Sequence, residues 1–332
     1  MADFRPFNAL RYDTSVAGDA ADLVAPPYDV VSMAEAAALH ARSNYNIARV
    51  DNGAELPGDD DTKNRYSRAR EELSRWREQG ALKRDAEPRL YVYDQEFEFN
   101  GATVRRRSIF GALRVEEWDK GIVLPHEHTG ARAKEDRLRL LRATRVHLSP
   151  IMALFDNSDG DASITDEDFE APVFDAVLPG ERHTLRPLSA AAGQRFRNAI
   201  ADRRLYIADG HHRYETALNY RNERRETAAS WSGEEPENFV LAALVDAADP
   251  GLVVLPIHRL LRLEPNGKSR TEALSGVFKL QPVTDGAGAV ETLIRAVDGR
   301  PLRGPNDLMF DAHGGFWFSD LGKVRARDLW DQ

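Results

Sequence analysis

The sequence contains no cysteine. That absence excludes disulfides, thiolate zinc sites and any catalytic thiol, and it suits a cytoplasmic protein. No stretch approaches the roughly 18 apolar residues of a membrane span. The opening MADFRPFNAL lacks the basic-then-apolar layout of a secretory signal. Three enzyme signatures are missing as well. Without Gly-x-x-x-x-Gly-Lys-Ser/Thr the chain is not an ordinary P-loop kinase. The lack of a strand-flanked Gly-x-Gly-x-x-Gly argues against a Rossmann dehydrogenase. There is also no Gly-x-Ser-x-Gly elbow. Net positive charge is lacking too, and the formal value of -9 argues against a general nucleic-acid binder.

What is present is a soluble globular composition, 42% hydrophobic and 30% charged over 332 residues. That length allows a substantial core and about two domains. Residues 101–150 depart from the acidic trend, with eleven Lys/Arg against six Asp/Glu. A local basic patch suits an anionic small substrate, although a solvated helix face carries the same signature.

The pattern predicts an α+β or mixed α/β chain. Pro26-Pro27 in APPYDVVS sets an extended turn. Ser32 with Glu35 forms a capping box for a helix over 33–42. A helix follows at about 62–79, ending at Gly80. Alternating runs within 89–117 flank Asn100-Gly101, a hairpin signal. Residues 131–143 read as a helix, SPIMALFD as a buried strand, and 157–188 as an acidic, loop-rich insertion with strand-like pieces. A helix at about 189–202 precedes the strand RLYIAD and a further helix after Gly210. Residues 221–238 read as polar and exposed, FVLAALVD as a buried strand. The remainder alternates small helices and strands and ends in a hairpin around Gly314-Gly315.

Five of the nine histidines fall in three short motifs: LPHEHT (His126, His128), ADGHHRYE (His211, His212) and GLVVLPIHR (His258). Each ends an apolar run, where a loop can present side chains to a cleft. In the second motif Gly210 removes a Cβ where the strand must turn. The next residues open a helix, whose N-terminal amides and dipole favour an anion. Arg213 adds a guanidinium fork suited to phosphate oxygens. His211 and His212 can donate to the same oxygens, or one can shuttle a proton. Asp209 is placed to orient a histidine or to meet a magnesium ion. A tight turn with helix-capping histidines is the structural alternative. Lys134 and Arg137 on the preceding helix are candidate phosphate clamps, equally consistent with an ordinary basic helix face. His258 and Arg259 fit a structural role better than a site. Tyr28 and Asp29 could add to a pocket, with a rigid turn the plainer reading.

DGHHRYETA resembles the phosphate-binding turn of the ParB/sulfiredoxin superfamily, and its double histidine is similar to the free L-serine kinases of that group. The resemblance implies transfer of a phosphoryl group to serine from ATP, ADP or pyrophosphate. It also implies that Glu127, upstream of a helix and a Pro-Ile strand, is the general base. His126 and His128 would then orient it or contact phosphate, with Thr129 beside them. Sulfiredoxin has a cysteine at the position of His211, so sulfinic-acid repair is not expected here. Over nearly its full length the chain also resembles a bacterial family known as domain of unknown function 1015. APPYDVVS, NYNIARVD, LPHEHT, ADGHHRYETA and GLVVLPIHR carry that likeness. The combined expectation is a ParB/sulfiredoxin-like core at 105–260, flanked by α/β regions at 1–104 and 261–332. About 50 residues between SPIMALF and the histidine turn depart from the compact serine kinases.

Phosphotransfer to a small hydroxyl acceptor, with magnesium, is therefore the leading expectation. A metal-dependent hydrolase or phosphatase using the same histidines is one alternative, and a nucleotide-binding regulatory module another. The expected partners are small molecules, not nucleic acid or membrane, with a homodimer left open.

Overall fold

The computed structural model describes residues 1–126 and 131–253, with side chains at 1–126 and 134–253, and seven further strands between 258 and 320 as backbone. The chain forms two compact units, Met1–Leu252 and Val253–Gln332.

The first unit opens with β1 (Phe4–Arg5) and β2 (Leu10–Tyr12). The helices α1 (Thr14–Ala17), α2 (Ala20–Leu23), α3 (Met33–Arg42), α4 (Ala48–Asp51) and α5 (Arg65–Glu78) follow. Next come β3 (Leu82–Arg84), β4 (Tyr91–Phe99), β5 (Ala102–Arg114), β6 (Val123–Leu124) and α6 (Ala131–Thr144). After β7 (Ile151–Phe155), β8 (Phe174–Leu178) and β9 (Glu181–Pro187) the chain forms α7 (Ala190–Ile200) and β10 (Leu205–Asp209). The unit closes with α8 (His211–Thr227) and β11 (Phe239–Asp246). In the second unit β12 (His258–Leu261), β13 (Gln281–Asp285), β14 (Gly288–Thr292), β15 (Ala296–Val297), β16 (Arg300–Pro301), β17 (Pro305–Phe310) and β18 (Phe316–Asp320) are described. There β12, β18 and β17 form one antiparallel sheet.

Local chemistry explains several boundaries. Ser32 caps α3 while Glu35 reaches back to the Ser32 amide, the expected capping box. Asn64 accepts from the amides of Tyr66 and Ser67 and starts α5. Asn100 (φ 51°) and Gly101 (φ 77°) are both left-handed, as a two-residue hairpin turn requires, and they join β4 to β5.

The central sheet has the order β6-β10-β7-β11-β5-β4-β9-β8, with β1 added against β5. β10 runs parallel to β6 and β11 parallel to β7, while the other neighbours are antiparallel. The fold is thus α+β with a mixed sheet, and residues 1–104 and 105–260 contribute strands to the same sheet. The insertion at 157–188 is not only loop: β8 and β9 extend the sheet beyond β4.

One expectation is corrected. Residues 221–227 continue α8, and 224–227 are exposed as expected, but Arg221 is buried, with its guanidinium donating to Val115 O at 2.8 Å and pairing with Glu117. A polar stretch can cover apolar surface when its cations find partners, which composition alone does not reveal.

The main core joins strand residues such as Ile151, Ala153, Ile207 and Leu244 to Phe196 of α7 and Tyr214 and Ala217 of α8. A second cluster unites Leu23, Val50, Leu73 and Trp76 with Leu140 of α6. Helix α6 packs on both α5 and α8. It therefore links the N-terminal helical layer to the element that follows the glycine turn.

Candidate functional site

Strands β6 and β10 lie side by side and parallel, so the loops leaving their carboxyl ends emerge together, the usual place for a ligand in such sheets. One loop begins at Pro125-His126; the other is the turn at Gly210. Gly210 has φ +89° and ψ 28°, a left-handed conformation that glycine adopts without penalty. An added Cβ would stand 3.1 Å from Arg213 Cζ and Nε and from Ile151 Cα. The missing side chain is the space in which the Arg213 guanidinium folds back over the turn. Arg213 Nη1 donates to Pro150 O, and Nη2 pairs with Asp209. The arginine side chain is 16% exposed and that of Asp209 57%, so a held cation sits beneath an open edge. Tyr214 N donates to Gly210 O at 2.9 Å and closes the first turn of α8. The Tyr214 hydroxyl bonds both the amide and the carbonyl of Glu116, each at 2.8 Å, and anchors that turn from below.

The histidine motifs meet here. His126 N donates to His211 Nε2 at 3.3 Å, and the two rings stand edge to face with centroids 4.5 Å apart. His126 Nδ1 lies 2.6 Å from Ile207 O, a contact that requires Nδ1 to be the donor. Nδ1 therefore carries a proton, and Nε2 is the ring nitrogen left for any further hydrogen bond. His211 is only 2% exposed and accepts at Nε2, so it supports the turn from inside. His212 occupies the first turn of α8, part-buried.

Arg137 and Lys134 hold other partners. Lys134 Nζ pairs with Glu215 at 2.6 Å and ties α6 to α8. Arg137 Nη1 donates to Asp51 Oδ1 at 2.7 Å, Nη2 to Asp51 O at 3.2 Å, and Nε to Asp136 Oδ2 at 2.8 Å. The Tyr28 ring covers the Arg137 guanidinium, 3.9 Å from Cζ to centroid. Asp136 also accepts from Tyr66 Oη at 2.7 Å and pairs with Arg65. Burial opposes the charge on Asp136, but Arg137, Tyr66 and Arg65 together hold its carboxyl below the ordinary value. For Asp51 burial wins: its carboxyl is pushed up despite Arg137 and Arg213. Burial likewise raises the Tyr28 phenol against the fields of Arg137 and Arg213.

Beside them Asp51, Arg137, Leu140, Leu141, Val146, His147, Leu148, Ser149, Arg213 and Thr216 line a small open cleft of about 40 Å3. Thr216 is 3% exposed, and its Oγ1 has no hydrogen-bond partner among the described residues.

The structure therefore brings Arg137 and Arg213 to one cleft, with the Tyr28 ring stacked on Arg137 and His126 and His211 joined at the neighbouring turn. Asp29, exposed, contributes to the field at Tyr28. Glu127, His128 and Thr129 lie outside the described residues, as do the side chains of His258 and Arg259. Among the described residues no group of three or more His, Asp or Glu is arranged to hold a metal ion. A magnesium ion carried in by phosphates needs only one or two carboxylates, and Asp209 has the exposure to serve as one. Sequence reasoning missed Asp51 and Thr216. Asp51 ends NYNIARVD, and Thr216 lies one turn beyond Arg213 in DGHHRYETA, but neither motif marks them as facing a cavity.

The fold and the turn define an α+β protein with a cation-bearing glycine turn at the edge of a mixed sheet. Residues 4–306 match the family described as Protein of unknown function (DUF1015), and the chain belongs to that family. No curated protein and no solved structure matches it. Among the described residues no helix is long and apolar enough to cross a membrane.

Proposed function

We propose that the protein is a phosphotransferase that acts on a small hydroxyl acceptor, most concretely free L-serine, with a nucleotide or pyrophosphate as donor. The observation that carries this reading is the Gly210 turn. A left-handed glycine opens α8 and leaves room for Arg213 to hold a guanidinium over the helix start. A helix N-terminus and an arginine fork together favour phosphate oxygens.

In this reading Gly210, His212 and Arg213 cradle the donor phosphates, and His211 fixes the neighbouring loop through the His126 amide. Magnesium would enter with the donor, meet Asp209 and neutralise phosphate charge. Glu127 would take the hydroxyl proton, and His126, whose Nε2 is left for a further hydrogen bond, would relay it or orient the carboxylate. Lys134 and Arg137 act as braces for α6, since each already holds carboxylates.

The test is a phosphotransfer screen with magnesium, crossing ATP, ADP and pyrophosphate with serine, threonine and other small alcohols. O-phosphoserine should form. The Glu127→Gln protein should lose it by at least ~100-fold, the lower range for one acid–base group, while still binding donor. Absence of product with every donor would refute the enzyme reading, and tight donor binding without turnover would identify a nucleotide-responsive module instead.

A further inference from the structure

We propose that a recess beyond the carboxyl ends of β7 and β11 binds a small organic ammonium ion, with its apolar body against Phe155 and Phe196 and its cationic head at Asp246 and Asp249. This is a second site, apart from the one assigned to phosphate.

The parallel neighbours β7 and β11 end together here, with Phe155 beside Asp246 in register. Because β10 runs antiparallel to β7, this edge lies across the sheet from the Gly210 turn. Loops leaving the carboxyl ends of adjacent parallel strands are where open sheets take ligands. The recess measures about 160 Å3. A protein cavity of ~150 Å3 accepts benzene. Ile109, Phe155, Phe196 and Leu244, each at most 3% exposed, give it an apolar wall.

The polar side of the recess is anionic. Arg107 reaches it, but Asp94 at 2.8 and 2.9 Å and Asp166 at 2.8 Å already balance that guanidinium. The part-buried Asp246 and Asp249 have no such match. Asp246 accepts from Asn157 Nδ2 at 3.0 Å and from Ala248 N at 2.9 Å. Asp249 accepts from Gly251 N at 2.7 Å and from Arg107 N at 3.2 Å. Among the described residues these amides are their hydrogen-bond partners, and all four are neutral. The loop that carries Asp249 is held in place as well. A Cβ on Gly251 would collide with Arg105 O, so the chain there lies flush on β5. Gly251 opens the GLVVLPIHR stretch, and its lack of a side chain serves this edge of the sheet.

The lining selects the ligand. An anion would face two carboxylates. A divalent metal ion would meet apolar walls, and among the described residues no group of three His, Asp or Glu is arranged to hold one. A neutral apolar molecule would strip water from both carboxylates and replace none of its hydrogen bonds. An ammonium ion on an apolar body covers the wall and gives the carboxylates a charged donor.

Binding to the full-length protein is measured by calorimetry with benzylamine, benzyl alcohol and benzoate, with no nucleotide present. Benzylamine, an ammonium ion at neutral pH, should bind saturably. Benzyl alcohol keeps the ring and loses the charge, so it should bind at least ~10-fold more weakly, the discrimination of one charged hydrogen bond. Benzoate should bind more weakly still. Asp246→Asn and Asp249→Asn should each weaken benzylamine at least ~10-fold and leave benzyl alcohol nearly unchanged. Ala162→Leu, which adds bulk to the lining, should weaken both. Thermal unfolding verifies that each variant is folded, and the probe series and Ala162→Leu test the site even where an aspartate variant does not fold. Absence of saturable benzylamine binding, equal affinity for benzylamine and benzyl alcohol, or unchanged benzylamine affinity in both folded aspartate variants would overturn the proposal. No phosphotransfer enters the titration, so a failed kinase screen leaves this claim standing and a failed titration leaves the kinase standing.

Discussion

Replacing Gly210 by alanine separates the two reasons for a glycine at the turn. The first is conformational: at φ +89° a side chain costs about 1–2 kcal/mol. The second is contact: the new Cβ would stand 3.1 Å from Arg213 Cζ and Nε and from Ile151 Cα. The arginine can move by a few tenths of an ångström, but Ile151 Cα belongs to a central strand and cannot do so freely. Displacing the guanidinium weakens its bonds to Pro150 O and Asp209, and a charged hydrogen bond is worth about 1.5–3 kcal/mol. Gly180 provides the control, with φ +80° and nothing within 4 Å of an added Cβ. Gly180→Ala should cost the conformational term alone, about 1–2 kcal/mol, or a fall of roughly 2–8 °C in the first unit's unfolding midpoint. Gly210→Ala should cost measurably more and should also reduce affinity for a phosphate donor, which Gly180→Ala should not. Paired thermal scans and calorimetric titrations with ATP and pyrophosphate read both effects. In the Arg213→Ala background the excess cost should shrink, because one of the crowded groups is gone. If Gly210→Ala matched Gly180→Ala in both stability and donor affinity, the packed turn would not be what holds the phosphate.

Two further outcomes follow from buried charge. Loss of hydration pushes the His147 imidazole down to about 4, while its ring lies 3.1 Å from Phe239 O through Nε2. Between pH 6.5 and 4 the unfolded chain takes up a proton that the folded ring refuses, so stability should fall as pH drops through that window. The contribution is at most about 3 kcal/mol, present in full above the unfolded pKa and lost by the folded one. His147→Gln should flatten that part of a stability–pH profile from urea unfolding, and an unchanged slope would refute the assignment. At the other end of the sheet Asp94, 5% exposed, receives Arg107 at 2.8 and 2.9 Å and Arg186 at 3.2 Å. Asp94→Ala should cost up to about 3–5 kcal/mol, because Arg186 loses its buried carboxylate and Arg107 keeps only the exposed Asp166 and Ile164 O. Asp94→Ala with Arg107→Met should recover part of that loss, and a double variant no more stable than the single one would show that the pair is not the cause.

The elements that a short window specifies were legible in the sequence. The Asn100-Gly101 turn, the Ser32 and Glu35 capping box, and the strand–glycine–helix junction at Gly210 all depend on residues within a few positions of one another. The insertion at 157–188 was harder to read. Its β8 and β9 carry an interrupted apolar pattern, and they become strands because β9 finds an edge in β4. Arg221 misled for a related reason. A run of arginine and glutamate looks solvated, yet Arg221 is buried because Val115 O and Glu117, more than a hundred positions earlier, receive it. Pairing across such separations is a tertiary fact, and residue type alone does not encode it.

The same distinction sorts the cations of the site. Lys134, Arg137 and Arg213 are equivalent in the sequence, all basic and all on helices beside histidine motifs. In the fold their partners divide them. Arg137 lies between two carboxylates and beneath an aromatic ring, so an arriving phosphate would have to displace Asp51 or Asp136 from a desolvated pair. Breaking such a pair costs several kcal/mol, about 3–5 where one partner is lost. Lys134 is similarly committed to Glu215, whose side chain is 13% exposed. Arg213 is paired with an aspartate more than half exposed, and water can solvate that carboxylate when the arginine turns to a ligand. Exchange of partners is therefore cheapest at Arg213, where the glycine turn has also cleared the space. An anion site needs a cation that can be released as well as one that is present, and among these three that condition singles out Arg213.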